Sequence, residues 1–239
     1  MAPKIIFFDI DGTLLLTGGA GQVALERSLN QEFEIDFPFE GVLTAGRTDR
    51  GITDEIFERY GFENTEESRH RFREAYLALL PQTLQDSPGV LLPQVRELIE
   101  ELAQADNVVL SILTGNYEEA AWIKLRHYEL DRFFSFGGFG DHHAARDDVA
   151  RNAVASAVNS LGHEIDGHNT MVVGDTPADI TCARAIGAKA VGVATGTYDS
   201  NQLHCTNPIC YSKTSPTHHQ SSRNFLGHLA KALCETQFE

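Results

Sequence analysis

The stretch "KIIFFDIDGTLLLTGG" (residues 4–19) runs an apolar segment into two aspartates one residue apart. The run of Ile and Phe reads as a buried strand over 4–10. Ionised carboxylates at its end are costly to desolvate without a partner, so Asp9 and Asp11 call for one that the strand itself does not supply. The plainer reading is a strand-end turn on the Asp11-Gly12 dipeptide.

Outward from this run, four more apolar segments read as buried strands: "NVVLSIL" (107–113), "RFFSFGG" (132–138), "TMVVGD" (170–175) and "KAVGVAT" (189–195). Helical stripes lie between most of them. Val95, Leu98, Ile99 and Leu102 follow i, i+3, i+4, i+7, as do Val154, Ala157, Val158 and Leu161. Thr176-Pro177 reads as an N-cap with proline at the first helical position, in a helix that Gly187 ends. Alternating strands and helices predict an α/β fold, a doubly wound parallel sheet covered on both faces. Residues 17 to 88 break the alternation with helical stripes (Leu25, Leu29, Phe33; Phe72, Ala75, Tyr76, Leu79, Leu80) and loop-like "DFPFEG" and "SPG". They are expected to form a small α-helical subdomain, 17–88, inserted into a core of 1–16 and 89–239. Its hinges are expected near Thr17–Gly19 and Ser87–Gly89.

The bulk numbers narrow the function. A chain of 239 residues can bury a sizeable core. A net charge of -15 leaves no excess of Lys and Arg to neutralise phosphates, which argues against nucleic-acid and anionic-membrane partners. No run approaches the roughly 20 apolar residues of a membrane span, and no secretion signal is evident at the N-terminus. The four cysteines, Cys182, Cys205, Cys210 and Cys234, form no CxxC pair. The expectation is a cytoplasmic protein with reduced thiols. The polar tail from Tyr198 to Arg223 is expected to be an irregular surface connection. His204, Cys205, Cys210, His218 and His219 fit no common zinc spacing.

Ligands of open parallel sheets gather at the carboxyl ends of the strands. Asp9 and Asp11 end the first strand, Thr114, Gly115 and Asn116 the second. Gly174, Asp175 and Thr176 end the fourth, with Asp179 one turn into the next helix. The strand ends thus bring three carboxylates, with Asp179 a fourth beside them, together with hydroxyls and glycine-flanked amides, to one edge. "FFDIDGTLL", "ILTGN" and "VVGDTPADI", in this order, resemble motifs one, two and four of the haloacid dehalogenase superfamily. The helical insert is similar to the cap of the subgroup that includes phosphoglycolate phosphatase and β-phosphoglucomutase.

The resemblance implies a phosphatase acting on a small phosphorylated metabolite. Asp9 would attack phosphorus, and water would hydrolyse the aspartyl-phosphate. Mg²⁺, held by Asp9, the Asp11 backbone carbonyl and Asp175 and supported by Asp179, would reduce the repulsion between carboxylate and phosphate. Asp11, on the same side of an extended chain as Asp9, would act as general acid and base. Thr114, Gly115, Asn116, Gly12 and Thr13 would cradle the phosphoryl oxygens. Dehalogenases of the superfamily lack the second acid, so Asp11 favours phosphate chemistry.

The family commonly supplies a motif-three lysine, and this chain has none between Lys124 and Lys189. Arg146 is the candidate for that cation and Arg151 the runner-up; the plain alternative is a surface pair with a neighbouring Asp. Thr114-Gly115-Asn116 equally suits a loop and helix start. Asp179, three residues after Thr176, also suits a capping box. Arg47, in "AGRTDRG", is either a solvated loop charge or a specificity residue for a substrate carboxylate, as phosphoglycolate would offer. A phosphomutase of the β-phosphoglucomutase type, passing the phosphoryl group to a sugar hydroxyl, is the alternative function. "GAGQVA" (19–24) matches a dinucleotide-binding pattern, but eight residues separate Ile10 from Gly19, where such glycines should follow a strand directly. A silent phosphate-binding or phospho-receiver protein would lack Asp9 or the Asp-x-Asp-Gly-Thr order.

Overall fold

The computed structural model describes residues 3–36, 42–204 and 210–213. Their order is β1 (Lys4–Phe8), β2 (Leu15–Leu16), α1 (Ala20–Phe33), α2 (Asp49–Tyr60), α3 (Glu66–Asp86), β3 (Val90–Leu91), α4 (Val95–Ala103), β4 (Val108–Leu113), α5 (Glu118–His127), β5 (Gly137–Gly138), α6 (Arg146–Leu161), β6 (Thr170–Gly174), α7 (Pro177–Ala185), β7 (Lys189–Ala194), α8 (Ser200–His204) and β8 (Cys210–Lys213). No helix among the described residues is long and apolar enough to cross a membrane.

The main sheet runs β5-β4-β1-β6-β7-β8, and every pairing in it is parallel. This is the doubly wound α/β arrangement. Strand β1 is central, with Phe8 beside Ile112 on one flank and Val173 on the other. The chain fills the β4 side first and then crosses to β6, so a topological switch lies at the carboxyl end of β1, where such sheets open a crevice. Side chains of β1 alternate between the two faces. Ile6 and Phe8 join a cluster with Leu98, Ile99 and Leu125; Ile5 and Phe7 join Val149, Ala153 and Ile180 on the other. Both faces are covered, which is why the strand reads as a continuous apolar run.

Helices α1–α3 bury a third cluster containing Leu25, Ile56, Phe57, Phe72 and Tyr76, to which the core contributes Tyr117 and Ala120. The two chain crossings that lead to and from these helices lie side by side as β2 and β3, an antiparallel pair with Leu15 beside Leu91. Residues 37–41, most of the "DFPFEG" loop, lie outside the described residues.

Three details depart from the sequence reading. The run 132–138 is mostly not a strand: a 3-10 turn covers Asp131–Phe133, and only Gly137–Gly138 pair with β4. Its apolar character serves packing instead, since Phe134 and Phe136 bury into different clusters on the two faces of the sheet. The short pair β2–β3 carries too few residues to show a period. The tail is not wholly irregular, because β8 adds a parallel strand to β7, with Cys210 opposite Val191. Cys182 is a buried free thiol; Cys205, His218, His219 and Cys234 lie outside the described residues.

Candidate active site

Asp9 leaves the end of β1 with its backbone N–H bonded to the Val173 carbonyl at 3.0 Å. Its carboxylate is buried, as are those of Asp175 and Asp179, and one ligand oxygen from each lies within 4.8 Å of the others. Burial and then the charge of Asp179 push the Asp9 carboxyl up to about 7. Burial and then the charge of Asp9 push Asp175 up to about 8. Like charges crowded in a low dielectric resist ionisation together.

One guanidinium offsets part of this charge. Arg146, at the first position of α6, is buried, donates to Asp179 Oδ1 and lies 3.5 Å from Asp9 Oδ1. Burial works against its charge, but Asp179 and Asp9 outweigh that and hold it protonated more firmly than an ordinary arginine. Arg151, by contrast, pairs with Asp148 on the exposed face of α6. Asp179 fulfils the capping role as well: its Oδ2 accepts from the Thr176 N–H at 3.0 Å and the Thr176 hydroxyl at 2.7 Å. With Oδ1 on Arg146, both of its oxygens are engaged.

The turn after β1 is shaped by its glycine. Gly12 has φ +85°, and a Cβ there would sit 2.4 Å from Asp175 Oδ2. The next residue, Thr13, donates its hydroxyl to Asp175 Oδ1 at 3.1 Å. Thr114, buried just after β4, accepts from Asn116 Nδ2 at 2.8 Å, and its side chain partly offsets the upward shift of Asp9. Asn116 also donates to Asp11 Oδ2 at 2.8 Å. Asp9, Asp11, Gly12, Thr114, Gly115, Asn116, Arg146 and Asp175 all line one cavity of about 540 Å³, with Leu16, Leu25, Ile52 and Tyr76 on its far wall.

Of that wall, Leu25, Ile52 and Tyr76 belong to α1, α2 and α3, and Leu16 to β2. The Asp49 backbone N–H donates to the Gly115 carbonyl at 2.7 Å, and Asp49 Oδ2 accepts from the Tyr117 N–H at 2.8 Å. Thr48 caps α2 and donates to the Ala144 carbonyl at 3.1 Å. Residues 48 and 49 therefore lie across the loops that follow β4 and β5. Burial pushes the Asp49 carboxyl up to about 6, with Lys124 pulling the other way. Arg47 lines the cavity, but its guanidinium is committed to Glu55 and to the carbonyls of Gly51 and Leu43. Gly19 and Gly21 line it too, at the start of α1 and not at a turn after β1.

Asp49, Lys124, Thr195 and Gly196 escaped the sequence reading. Lys124 is buried on α5, its Nζ 2.6 Å from Asp11 Oδ2. Its signal was a lysine four residues after Ala120 and three after Ala121, on the helix face that is otherwise buried. Thr195 and Gly196, just after β7, line the cavity, and Thr195 donates to the Gly12 carbonyl. No charge marks them; only the fifth strand's end position pointed there.

A doubly wound parallel sheet whose buried acids meet at the carboxyl edge of its central strands defines the class: a doubly wound α/β protein with an acidic site at its topological switch point. The chain belongs to the haloacid dehalogenase-like hydrolase family, whose model matches residues 3–187. A phosphoglycolate phosphatase of Aquifex aeolicus is 24% identical over 190 residues, covering 78% of this chain and 82% of that protein. "Probable phosphatase IndB" of Dickeya dadantii is 26% identical over 210 residues, covering 87% and 88%. Among solved structures, a predicted phosphatase from Clostridium acetobutylicum superposes with a TM-score of 0.68 over 97% of this chain and 100% of that one, at 17% identity.

Proposed function

We propose that this hydrolase is a Mg²⁺-dependent phosphatase that releases phosphate from a small phosphomonoester through an aspartyl-phosphate on Asp9. The observation that carries the reading is the buried cluster of Asp9, Asp175 and Asp179, compensated by a single guanidinium and open to a cavity lined by Asp11. Carboxylate oxygens held this close, two of them with raised proton affinity, suit a hard divalent cation. Asp9, Asp175 and the Asp11 backbone carbonyl would hold it, with Asp179 supporting from its place on Arg146. Bound there, Mg²⁺ would offset the charge of the phosphoryl oxygens and of the nucleophile.

The chain's own residues would do the remaining work. An Asp9 oxygen attacks phosphorus while Asp11 gives a proton to the departing alkoxide oxygen. Asp11 then takes a proton from the water that attacks the aspartyl-phosphate, which frees phosphate and regenerates the Asp9 carboxylate. Thr114, Gly115, Asn116, Gly12 and Thr13 bind the phosphoryl oxygens, and Arg146 fills the motif-three role. Residues 17–88 act as a cap that excludes bulk water when closed, and their contacts at Gly115, Tyr117 and Ala144 support a closed arrangement. The names of the relatives favour a small acid such as phosphoglycolate as substrate.

The test is a panel of phosphate esters assayed for Mg²⁺-dependent phosphate release, with Asp9→Asn as control. Release from at least one small ester by the wild type and none by the variant is expected. Release that survives the substitution would refute the nucleophile. Transfer of phosphate between sugar positions without release would identify a mutase on the same aspartyl-phosphate.

A further inference from the structure

We infer that Lys124 is a positioning residue that fixes which oxygen of Asp11 works in catalysis; the inference rests on the phosphatase reading above. Lys124 Nζ lies 2.6 Å from Asp11 Oδ2 and also donates to Asn116 Oδ1 at 2.5 Å. Asn116 in turn donates to the same Asp11 Oδ2 at 2.8 Å. The three side chains close a ring in which every bond to Asp11 ends on Oδ2. Oδ1 takes no hydrogen bond from any described residue. An oxygen that accepts two N–H donors has no direction left for an acidic hydrogen, so the transferable proton resides on Oδ1.

The lysine end of the ring is shielded by its surroundings. Lys124 is 4% exposed, and α1 of the inserted helices runs over it. A Cβ on Gly21 would sit 3.7 Å from Nζ and 3.9 Å from the Tyr76 hydroxyl. A buried lysine must be paired to be tolerated, and here the pair spans the sheet edge, from α5 to the turn after β1. Asp11 itself is partly exposed to the cavity, its side chain 39% accessible. One oxygen is therefore anchored and the other faces the space where a leaving group would sit.

A group that only orients the acid should matter in proportion to the acid's importance. An alkyl phosphate needs its leaving oxygen protonated; a nitrophenyl phosphate leaves as a stabilised phenolate and needs little help. With wild type and Asp9→Asn first establishing covalent phosphatase turnover on both esters, Lys124→Met is expected to lower kcat/KM for the alkyl ester about 100-fold, the low end of acid–base contributions. That constant ends at release of the leaving group and so excludes hydrolysis of the aspartyl-phosphate, in which Asp11 is the base with either ester. The loss of kcat/KM on the nitrophenyl ester should be less than about threefold, since little proton transfer is then at stake, and inhibition by inorganic phosphate should stay near wild type. Lys124→Gln, which keeps an amide N–H donor group and removes the charge, should recover part of the alkyl activity and serves if the Met variant does not fold. Equal losses of kcat/KM on both esters would overturn the inference, as would weakened inhibition by inorganic phosphate, which would make Lys124 a substrate ligand.

Discussion

At Arg146 one guanidinium faces Asp9 and Asp179 inside the protein, and its removal would leave buried carboxylates without a counter-charge. Arg146→Met is expected to lower stability by about 3 kcal/mol, the cost of breaking a buried pair from one side. Urea midpoints at neutral pH check this, and an unchanged midpoint would mean the charges are solvated. Asp49 gives a pH signature of its own. Its carboxyl is raised from 3.8 to about 6 in the fold, so the folded chain binds that proton more tightly than the unfolded chain. The contribution is full below pH 3.8 and is lost as pH rises through about 6. Over that window it amounts to about 3 kcal/mol. Asp49→Asn should therefore gain on the wild type between pH 4 and 7.5 in denaturant titrations; a parallel pair of curves would contradict the assignment. Asp9, Asp11 and Asp175 were legible because strand ends mark where ligands gather. Lys124 and Asp49 were not, because their importance comes from what lies opposite: a lysine reads as solvent-facing until the helix above it is placed.

Among the elements, the segment that enters α2 decides what Arg47 can reach. Its guanidinium is bonded to Glu55, in the second turn of α2, and to two backbone carbonyls. The sequence offered a solvated charge or a substrate ligand; the geometry is a third case, a cavity-wall arginine already paired. For Arg47 to meet a substrate carboxylate, Glu55 must be exchanged. Glu55→Gln should lower KM for a carboxylated phosphoester a few-fold while leaving an uncharged aryl phosphate unchanged, as expected for an exposed pair worth up to about 1 kcal/mol. Arg47→Ala should raise KM for the first ester only. Equal effects on both esters would remove Arg47 from specificity. Helices α1 and α3 of the insert were legible from their stripes; α2 was not, because its start in "AGRTDRG" reads as a loop, and nor were the two-residue strands beside the hinges, since so short a pair has no period to read. The run 132–138 misled for a related reason: its phenylalanines pack into the core from a turn, and apolar content alone does not separate that from a strand.

Across the whole molecule, the sheet order puts β1 between β4 and β6 and so brings together acids that are over 160 residues apart in sequence. That convergence implies a site unstable in its ionised form and stabilised by a cation. Mg²⁺ should raise the melting temperature, by an amount equivalent to about 2.7 kcal/mol at 100 times Kd, and a chelator should reverse it. Asp175→Asn should abolish the metal-dependent shift while stabilising the metal-free protein; a shift that persists would place the cation elsewhere. The fold class was readable because buried parallel strands repeat along the chain with helices between them. The contacts between inserted helices and core were not, because they run through backbone groups such as the Gly115 carbonyl, which carry no residue signature. The most direct measurement of the central claim is acid-quenched turnover followed by borohydride reduction and peptide mass spectrometry. Conversion of Asp9 to homoserine during turnover, and in no other residue, is the predicted result. An unmodified Asp9, or label on a different side chain, would contradict the account.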